Sequence, residues 1–533
     1  MNKTLSNFIL AFIIGSFFIN CANTGSPDGG PKDDIPPSII KSQPENFNTN
    51  FAGNEIIIYF DEYITIKDLK KQLIISPPMK TQPVVKPLSG ASKYISIKIF
   101  DTLQPNTTYA FNFGNSITDN NEGNPYPFYR YVFSTGNYID SLTVKGNIVD
   151  ALKKQPETFV NVVLYEVDST FTDSIIYKET PKYVTNTLDS LTTFSIENIK
   201  AGKYMLIALK DKNSDNKFQQ KTDQIGFYKS FIEVPNDSVY TLRLFSEEID
   251  FSASRPKLLS GEKIAFGYEG DYKNMDIRIL SETPEDFEYR ITKDEKADTL
   301  YYWFKPRMKV DSLVFKVSNL NFDKEFTVKI SEQKRDSLTI SRTPSGTINL
   351  DEDFKIIGNT PFTNFDASKI ILIDKDSINI DFTSEFDTIT NTFALRFNKT
   401  ENNGYKMQIL PEAFIDFFDY KNDSLNFTVS TKKSSDFGYA RFTLVNAKYP
   451  LIIQLTDSEG KVKMEQAVTN SDPVDFLNLL PGKYFIRVIH DTNGNGKFDT
   501  GNYLKKIQPE RVSHFQEIEV RADWGYQETL QFK

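Results

Sequence analysis

Apolar and polar residues alternate in short runs along most of the chain. In the stretches 95–99, 313–317 and 425–429, every second residue is apolar. An alternation with this period predicts β-strands that have one buried face and one solvated face. Clusters of turn residues, such as the one at 118–125, separate the runs. The pattern therefore predicts an all-β chain built from β-sandwiches.

Two parts of the sequence occur twice. Residues 201–218 align without a gap with residues 481–498, and both stretches begin with a Gly-Lys-Tyr strand start and end in Lys-Phe. A weaker pair joins residues 109–135 to residues 405–431, and both of these stretches begin with Tyr and end in Ser-Thr. The order of the four stretches predicts an internal duplication around a central domain.

Composition narrows the classes of function. The 533 residues include 71 acidic and 62 basic side chains, which give a net charge of −9. This balance argues against a general binder of nucleic acid or anionic membranes, because both need a surplus of Lys and Arg. The chain has two His and one Cys. These counts exclude an intramolecular disulfide and a Cys-rich zinc site, and they favour a protein that is not an enzyme.

The first residues have the pattern of an export signal. Lys3 precedes an apolar run from Phe8 to Ile19, which is too short to span a bilayer but suits the core of a signal peptide. The only cysteine of the chain, Cys21, follows this run. Residues 22–37 are rich in Gly and Pro, which predicts a flexible tether.

A lone cysteine in this place resembles the acylation site of a bacterial lipoprotein. The resemblance implies that residues 1–20 are removed and that Cys21 carries fatty acids such as palmitate. The sequence Lys32-Asp33-Asp34 resembles the export signal of Bacteroidota surface lipoproteins. It implies a lipid-anchored protein of the outer membrane that is exposed at the cell surface, and the alternative is an anchor that faces the periplasm.

The block from 39 to 136 resembles the bacterial Ig-like domain of the S-layer (SbsA) type. The shared motifs are the Pro-Pro pair at Pro36, the strand 57–62, the stretch 103–109 and the Phe-Ser-Thr-Gly end at 133–136. The two Gly-Lys-Tyr units resemble transthyretin-like or carboxypeptidase-regulatory-like β-sandwiches. Together the resemblances imply about five tandem Ig-like and transthyretin-like β-sandwiches behind a lipoprotein signal peptide.

Turn clusters and repeats give the domain boundaries. They predict a signal peptide over 1–20, a lipidated flexible tether over 21–37, a bacterial Ig-like domain over 38–137, a transthyretin-like β-sandwich over 138–250, an Ig-like β-sandwich over 251–334, a degenerate second Ig-like domain over 335–432 and a second transthyretin-like β-sandwich over 433–533.

The loop after the second Gly-Lys-Tyr strand has the spacing of a Ca²⁺-binding loop. Hard oxygen ligands on alternate residues and a glycine for the turn are what such a loop needs, and Gly496 supplies the turn. The candidate ligands are Asp491, Asn493, Asn495, Asp499 and the backbone carbonyl of Lys497. The sister loop lacks the glycine, and its weaker candidates are Asp211, Asn213 and Asp215. The alternative in both cases is a polar turn.

Asp followed by Ser or Thr and then an aliphatic residue or Thr recurs along the chain. This pattern resembles the O-glycosylation acceptor of exported Bacteroidota proteins. The alternative is a turn that ends where the next strand begins. The candidate hydroxyls are Thr102, Ser141, Ser169, Ser174, Ser190, Ser238, Thr299, Ser312, Ser337, Ser377, Thr388 and Ser424.

These observations predict a lipid-anchored scaffold or accessory subunit that docks on an outer-membrane protein assembly. The host is a barrel-assembly, secretion or uptake machinery. The alternative is a cell-surface carbohydrate-binding or adhesion lipoprotein, for which the aromatic stretch 126–131 is the candidate patch. We expect the two histidines, His490 and His514, to lie at a surface or strand edge. The expected partners are the outer-membrane complex and the membrane itself, and the only expected cofactor is structural Ca²⁺.

Overall fold

The computed structural model describes residues 33–188 and 192–532. The predictions for the signal peptide, for Cys21 and for Ser190 lie outside these ranges. Within them the chain folds into five successive β-sandwich units, here called modules 1 to 5, and helix is limited to two single α-turns and two 3-10 turns. The predicted all-β class with tandem sandwiches is confirmed.

Module 1 consists of two sheets around an aliphatic and aromatic core. Its elements are β1 (Ile39–Gln43), β2 (Glu55–Ile66), α1 (Leu69–Gln72), β3 (Ile74–Ser76), β4 (Val84–Lys86), β5 (Ser92–Lys98), β6 (Thr108–Asn112), β7 (Ile117–Asp119) and β8 (Arg130–Ser134). One sheet has the order β1-β2-β5-β4 with β7 on β2, and the other has the order β3-β6-β8. The alternating residues Ile56, Ile58 and Phe60 of β2 point into the core.

Module 2 has the same two-layer build. Its elements are β9 (Leu142–Asp150), β10 (Asn161–Glu166), α2 (Ile175–Lys178), β11 (Tyr183–Asn186), β12 (Thr193–Ile199), β13 (Gly202–Lys210), β14 (Gln224–Phe227), β15 (Ile232–Val234) and β16 (Val239–Leu244). The larger sheet has the order β11-β10-β13-β14 with β15 on β13, and the smaller has the order β12-β9-β16. Strands β9 and β16 run parallel.

Module 3 forms the centre of the chain. Its strands are β17 (Ser252–Ala253), β18 (Lys257–Ser260), β19 (Lys263–Glu269), β20 (Asp276–Ile279), β21 (Glu288–Lys293), β22 (Thr299–Lys305), β23 (Ser312–Asn319) and β24 (Phe322–Lys329). One sheet has the order β17-β19-β22-β21 with β18 on β19, and the other has the order β20-β23-β24.

Module 4 has two four-stranded sheets and a short pair of strands. Its elements are β25 (Ile340–Thr343), β26 (Gly346–Thr347), β27 (Phe354–Gly358), β28 (Phe362–Phe365), a 3-10 turn (Ala367–Lys369), β29 (Ile370–Ile373), β30 (Phe382–Asp387), β31 (Thr392–Phe397), β32 (Gly404–Ile409), β33 (Phe414–Asp416) and β34 (Leu425–Ser430). The sheets have the orders β25-β27-β31-β30, β26-β34-β32-β29 and β28-β33.

Module 5 follows a 3-10 turn at Ser434–Asp436 and repeats the topology of module 2. Its strands are β35 (Gly438–Val445), β36 (Leu451–Thr456), β37 (Val462–Val468), β38 (Val474–Leu479), β39 (Gly482–Ile489), β40 (Val512–His514), β41 (Ile518–Val520) and β42 (Gly525–Gln531). The larger sheet has the order β37-β36-β39-β40 with β41 on β39, and the smaller has the order β38-β35-β42. Strands β35 and β42 run parallel, as β9 and β16 do.

In each pair of repeated stretches, the aligned tyrosines make equivalent hydrogen bonds to the backbone. The Tyr204 hydroxyl donates to the Lys200 carbonyl at 3.0 Å, and the Tyr484 hydroxyl donates to the Leu480 carbonyl at 2.8 Å. In modules 1 and 4, the hydroxyls of Tyr109 and Tyr405 each accept a backbone N–H five residues upstream. Each pair of repeats therefore shares a buried tyrosine contact that fixes the start of a strand.

The junction between modules 3 and 4 is a cluster of aromatic rings and cations. Trp303 packs against Phe418 with ring centroids 6.3 Å apart, and the Arg335 guanidinium lies 3.9 Å above the Phe418 ring. The Glu262 carboxylate is buried and accepts hydrogen bonds from Arg335 and Arg307. Burial opposes ionisation of Glu262, but these two hydrogen bonds lower its pKa below the ordinary value. The paired charges stiffen this junction.

Candidate functional site

Each of the two sister loops after the Gly-Lys-Tyr strands is organised by an aspartate, which is buried in module 5 and half-buried in module 2. Asp491 accepts the backbone N–H of Asn495 at 3.1 Å and that of Gly496 at 2.9 Å, one on each carboxylate oxygen. In module 2, Asp211 accepts the backbone N–H of Asn216 at 2.7 Å in the same manner. The first position of each predicted Ca²⁺ loop therefore holds the loop backbone together.

A second carboxylate closes each loop, and the sequence pattern did not reveal it. Glu510 accepts the backbone N–H groups of Thr492 at 2.7 Å and of Asp499 at 3.1 Å. In module 2, Asp223 accepts the backbone N–H of Gln219 at 2.9 Å. Glu510 and Asp223 are both largely buried. The loop of module 5 is longer than that of module 2, so Glu510 and Asp223 do not occupy aligned positions. The sequence repeat alone therefore could not identify them.

The amide side chains of the module 5 loop converge on one acid. Asn493 Nδ2 donates to Asp499 Oδ2 at 2.5 Å, and Asn495 Nδ2 donates to the same oxygen at 2.8 Å. Three of the predicted ligand positions thus lie together at the tip of the loop, with the Lys497 backbone beside them. Over residues 33–188 and 192–532, no three His, Cys, Asp or Glu side chains are grouped to hold a metal ion.

The weaker loop of module 2 also brings three carboxylates close together. Burial raises the pKa of Asp211, and the neighbouring carboxylates of Asp215 and Asp223 raise it further. Asp215 accepts the backbone N–H of Lys217 at 2.9 Å, and Asn213 donates its own N–H to Asp211 at 3.0 Å. The predicted ligands of this loop are therefore close together, and hydrogen bonds to the loop backbone occupy Asp211 and Asp215.

The extra length of the module 5 loop docks on module 2. The module 2 loop covers 211–223, whereas the module 5 loop covers 490–511. Tyr503, in this insertion, is fully buried, and its ring packs edge-on against Phe227 with centroids 5.4 Å apart. The Tyr503 backbone N–H donates to the Glu247 carboxylate at 2.5 Å. Burial raises the pKa of the Tyr503 hydroxyl, which therefore stays protonated.

Polar contacts surround the buried ring. Lys506 Nζ lies 2.6 Å from Asp173 Oδ1 and 3.8 Å above the Tyr503 ring, so one cation contacts both an acid and an aromatic face. Gln508 Nε2 donates to the Phe227 carbonyl at 2.9 Å. We call residues 498–508 the docking loop, because its side chains join module 5 to module 2.

The surface that receives the docking loop is a second apolar core of module 2. It lies on the outer face of the larger sheet, on the opposite side from the core between the two sheets. A Cβ added at Gly501 of the docking loop would lie 2.5 Å from Phe245 Cζ, so only glycine permits this approach. The buried members of this core are Ala151, Val163, Tyr165, Ile176, Val184, Met205, Ile207, Leu209, Phe218, Ile225, Phe227, Phe245 and Tyr503.

Module 2 contacts the larger sheet of module 5 in return. Arg487 Nη1 donates to the Leu152 carbonyl at 3.5 Å, and Arg487 Nε donates to Gln454 Oε1 at 2.5 Å. Burial lowers the pKa of Arg487, and the nearby carboxylate of Asp150 partly offsets this effect. His514 stands opposite Arg487 in the strand register. Modules 2 and 5 are therefore joined by the apolar contact of the docking loop and by the polar contact of Arg487 with Leu152.

The two histidines lie at strand ends of module 5. His490 Nε2 is 2.9 Å from Ser513 Oγ, and His514 Nε2 is buried without a hydrogen-bond partner. Burial lowers the pKa of both imidazoles, and the guanidinium groups of Arg511 and Arg487 lower them further. Glu510, whose carboxylate partly opposes the lowering of the His490 pKa, is engaged with backbone amides, as described above. The His490–Ser513 pair therefore gains no orienting carboxylate from Glu510.

A cleft of about 530 Å³ lies between modules 1 and 2. Three edge strands, β3, β11 and β12, border it, and each of them pairs with one neighbour only. Arg130 bridges the modules through an ion pair with Glu197 and a 2.6 Å hydrogen bond to Asn198 Oδ1. The backbone N–H of Val184 donates to Ser76 Oγ at 3.1 Å. The cleft combines charged, amide and aromatic groups from both modules.

Most candidate glycosylation hydroxyls lie on the surface. Of the eleven that the structure describes, nine are exposed, whereas Ser174 and Thr299 are half-buried. Several of them stand directly before a strand or at its first residue, as Ser141, Ser312 and Ser424 do. The exposed set is Thr102, Ser141, Ser169, Ser238, Ser312, Ser337, Ser377, Thr388 and Ser424.

The aromatic stretch 126–131 belongs largely to the core of module 1. Tyr129 and Tyr131 are buried among the core residues, and Tyr126 packs edge-on against Tyr129 at 5.8 Å. Phe128 is the member that is exposed. This stretch therefore does not form a broad aromatic surface. In the described ranges no helix is both long and apolar enough to cross a bilayer.

Comparison with known proteins supports the Ig-like part of the resemblance. Residues 33–135 match the family model described as a bacterial Ig-like domain. No curated protein matches the chain. Among solved structures, the S-layer protein rSbsC(31-844) is 12% identical and has a TM-score of 0.15, and the match covers 90% of this chain and 67% of that one.

Two further structures show the same low level of likeness. The Bacillus anthracis TIE protein is 10% identical with a TM-score of 0.15, over 100% of this chain and 79% of that one. The titin fragment I67-I69 is 14% identical with a TM-score of 0.13, over 52% of this chain and 98% of that one. Likeness at these TM-scores carries no information about binding or activity.

Proposed function

We propose that this protein is a lipid-anchored scaffold or accessory subunit of an outer-membrane protein assembly, of the kind found in Bacteroidota. Fatty acids on Cys21 hold it in the membrane, and two or more chains make such an anchor stable. The host is a barrel-assembly, secretion or uptake machinery. Modules 2 and 5 are transthyretin-like sandwiches in this proposal, and their shared strand order supports an internal duplication.

The observation that carries the proposal is the contact between modules that are distant in sequence. A string of independent sandwiches touches only its neighbours, whereas here Tyr503 of module 5 is buried in module 2. This contact encloses modules 3 and 4 in a loop of the chain and restricts their motion. A rigid body with several sheet edges suits a subunit that holds partners in fixed positions.

We further propose that the protein is not an enzyme. The buried acids of the sister loops are engaged with backbone amides, and Glu510, the carboxylate that acts on the His490 ring, is one of them. We infer that the protein acts by binding a partner protein. Edge strands such as β12 and β30 offer unpaired backbone groups to which a partner strand can bind.

Membrane attachment is tested by Cys21→Ser. We expect the native protein in the outer-membrane fraction and the variant in the soluble fraction, because the variant cannot be acylated. Retention of the variant in the membrane would contradict the lipid anchor.

Partner docking needs a separate experiment. A photo-crosslinking amino acid at Ser384, an exposed residue of the edge strand β30, is expected to give a discrete adduct in living cells, which mass spectrometry identifies. The same group at Lys406, which is exposed on the central strand β32 of the same module, serves as the control. An identical adduct pattern at both positions, or none at either, would contradict a specific docking edge.

We also infer that some of the exposed Asp-Ser and Asp-Thr hydroxyls carry glycans in the native protein. Their position at the surface, next to strand starts, supports this inference because an acceptor hydroxyl must reach the active site of a transferase. The intact mass of native protein is expected to exceed that of the acylated polypeptide. A mass equal to polypeptide plus lipid would rule glycans out.

A further inference from the structure

Asparagine is followed by glycine at three places in the chain, and two of these pairs lie in the module 5 loop. The pairs are Asn403-Gly404, Asn493-Gly494 and Asn495-Gly496. In such a pair the backbone nitrogen of the glycine can attack the side-chain amide of the asparagine, because glycine has no Cβ to hinder the approach. The structure gives the three pairs different surroundings, which allows their reactivity to be compared.

The two asparagine side chains of the module 5 loop have equivalent contacts. Both residues are exposed, and both Nδ2 groups donate to Asp499 Oδ2, from Asn493 at 2.5 Å and from Asn495 at 2.8 Å. Each Oδ1 accepts a backbone N–H from two residues further on, at 3.1 Å for Asn493 and at 2.9 Å for Asn495. A hydrogen bond to an amide oxygen stabilises the negative charge that develops there when the amide carbon is attacked. The two amides are therefore activated to a similar extent.

The glycine nitrogens that follow these side chains are not equivalent. The Gly496 N–H donates to Asp491 Oδ2 at 2.9 Å. The Gly494 N–H has no hydrogen-bond acceptor among the residues that the structure describes. A peptide nitrogen must lose its proton before it attacks, and a carboxylate beside it opposes this loss, because two negative charges would then be adjacent. Only the first pair of the loop thus combines an activated amide with a free nucleophile.

We propose that Asn493 is a site of spontaneous deamidation. The Gly494 nitrogen gives its proton to hydroxide and forms a bond to Asn493 Cγ. The side-chain nitrogen takes up a proton from water and leaves as ammonia, which produces a succinimide. Water then opens the succinimide at either carbonyl and yields aspartate or isoaspartate at position 493. The reaction needs water only, and the proposal rests neither on the lipid anchor nor on a partner protein.

The pair in module 4 is fixed by the sheet. Asn403 is 8% exposed, its N–H donates to Thr431 Oγ1 at 3.1 Å, and its carbonyl accepts the Thr431 N–H at 2.9 Å. The Gly404 N–H donates to Asn403 Oδ1 at 2.9 Å, so the hydrogen and not the nitrogen lone pair faces the amide. Closing the ring would rotate this peptide and break the contacts with Thr431. We therefore expect Asn403 to be unreactive in the folded protein.

Deamidation changes the charge at the tip of the loop. The Asn493 nitrogen that donates to Asp499 is replaced by a carboxylate oxygen, so two negative charges lie at hydrogen-bond distance. Asp499 belongs to the docking loop, and Asn493→Asp, which reproduces the aspartate product, is expected to lower the unfolding temperature in EDTA. The new carboxylate also joins the predicted Ca²⁺ ligands, and we expect Ca²⁺ to stabilise Asn493→Asp more than the native protein. This last expectation alone rests on the Ca²⁺ site.

Peptide mapping of the native protein over time tests the proposal. The mature, full-length protein is kept at pH 8 and 37 °C and is then digested and analysed by mass spectrometry, where each deamidation adds about 1 Da. We expect Asn493 to be converted at least tenfold faster than Asn495, and Asn403 to stay unconverted. A synthetic peptide of residues 488–500 is the control. Because no folded loop holds the Gly496 N–H against Asp491 in the peptide, its two asparagines are expected to react at similar rates.

Variants separate the contributions to the rate. Asn493→Gln keeps the amide but moves its carbon out of reach of the Gly494 nitrogen, so the acidic species that forms on storage and separates on ion exchange is expected to disappear. Asn495→Gln is the matched control and is expected to retain it. Asp491→Asn removes the charge beside the Gly496 N–H and is expected to raise the rate at Asn495 severalfold.

Two results would overturn the proposal. The first is that Asn495 is converted in the native protein as fast as Asn493 or faster, which would show that the hydrogen bond to Asp491 does not control the reaction. The second is that Asn493 reacts in the peptide but not in the native protein, which would show that the folded loop protects it. Neither result bears on membrane attachment, which is measured with Cys21→Ser.

Discussion

Modules 2 and 5 share a strand order and a buried tyrosine contact, yet their surfaces differ. In module 2 the outer face of the larger sheet is apolar and is covered by α2 and by the docking loop. In module 5 the same face carries Gln454 and Arg487, which are hydrogen-bonded to each other, and His514, which stands opposite Arg487 in the strand register. One repeat therefore receives a docking loop, and the other provides it. The comparison shows how a duplicated sandwich acquires a long-range contact through a loop insertion.

The largest effect is expected from removing the ring that joins the two repeats. Tyr503→Ala deletes a fully buried aromatic side chain, a change that costs about 3–5 kcal/mol in packed cores. We expect module 5 to unfold separately from module 2 in calorimetry and the radius of gyration in solution scattering to increase. Leu504→Ala, which removes a neighbouring side chain that is 54% exposed, is the control and is expected to change little.

The next largest effect concerns the acids that close the sister loops. Glu510→Ala leaves the backbone N–H groups of Thr492 and Asp499 without their partner, which costs about 1–3 kcal/mol. Because this loop carries Tyr503, we expect Glu510→Ala also to weaken docking of module 5. Asp223→Ala acts on the loop of module 2, which contributes Phe218 but not Tyr503 to the shared core, and it is expected to weaken docking less. Equal effects of both variants on docking, measured by scattering, would contradict this difference.

The two sister loops are also expected to differ in Ca²⁺ binding. We propose that the module 5 loop binds Ca²⁺ through Asp491, Asn493, Asn495, Asp499 and the Lys497 carbonyl, since the side chains of Asn493, Asn495 and Asp499 converge. Sites of low charge in extracellular modules have Kd values of about 0.1–1 mM. At 10 mM Ca²⁺ such a site stabilises the fold by roughly 1–3 kcal/mol.

Thermal unfolding with Ca²⁺ and with EDTA is the measurement that checks this prediction. Asp499→Asn removes one of the two ligand carboxylates and is expected to abolish most of the Ca²⁺ effect. Asp215→Asn in the module 2 loop is the matched control, and we expect it to retain the effect. Equal unfolding temperatures in Ca²⁺ and in EDTA would contradict Ca²⁺ binding. Both loops would then be interpreted as polar turns.

The smallest effect is expected from the histidines, which module 5 has and module 2 lacks. Burial lowers the pKa of His490 and His514, so the unfolded chain binds more protons than the folded one below about pH 6.5. The stability that the neutral rings contribute is therefore complete above that pH and is lost as the pH falls below it. Unfolding temperatures at pH 7.5 and 5.5 are expected to differ less in the double variant His490→Gln/His514→Gln than in the native protein. An unchanged difference would contradict the lowered pKa values.

The sequence predicted the fold class because an alternating strand pattern depends on local residues. Runs such as 313–317 alternate along one strand, and the alignment of 201–218 with 481–498 marked two equivalent strands. The same alignment could not locate Glu510, because the insertion that carries the docking loop shifts it out of register. Tyr503 stands in a loop, where no periodic pattern distinguishes a buried ring from an exposed one. Its role depends on a surface some 300 residues earlier in the chain.

The exposure of individual aromatic residues shows the same limit. Nothing in the residues around Trp524 distinguishes it from a core tryptophan such as Trp303. The stretch 126–131, whose density of aromatic residues is conspicuous in the sequence, is mostly core. Exposure depends on which side of a strand faces solvent and on whether another module covers it. Neither can be determined from one isolated segment.

Zero-length carbodiimide crosslinking followed by mass spectrometry tests docking of module 5 on module 2 most directly. Lys506 and Asp173 join the two modules with their charged atoms 2.6 Å apart, while Lys153 and Glu157 lie 2.7 Å apart within module 2. We predict both crosslinks in the native protein and the loss of the Lys506–Asp173 crosslink alone in Tyr503→Ala. A native protein that forms the crosslink within module 2 but not the one between modules would contradict the docked arrangement.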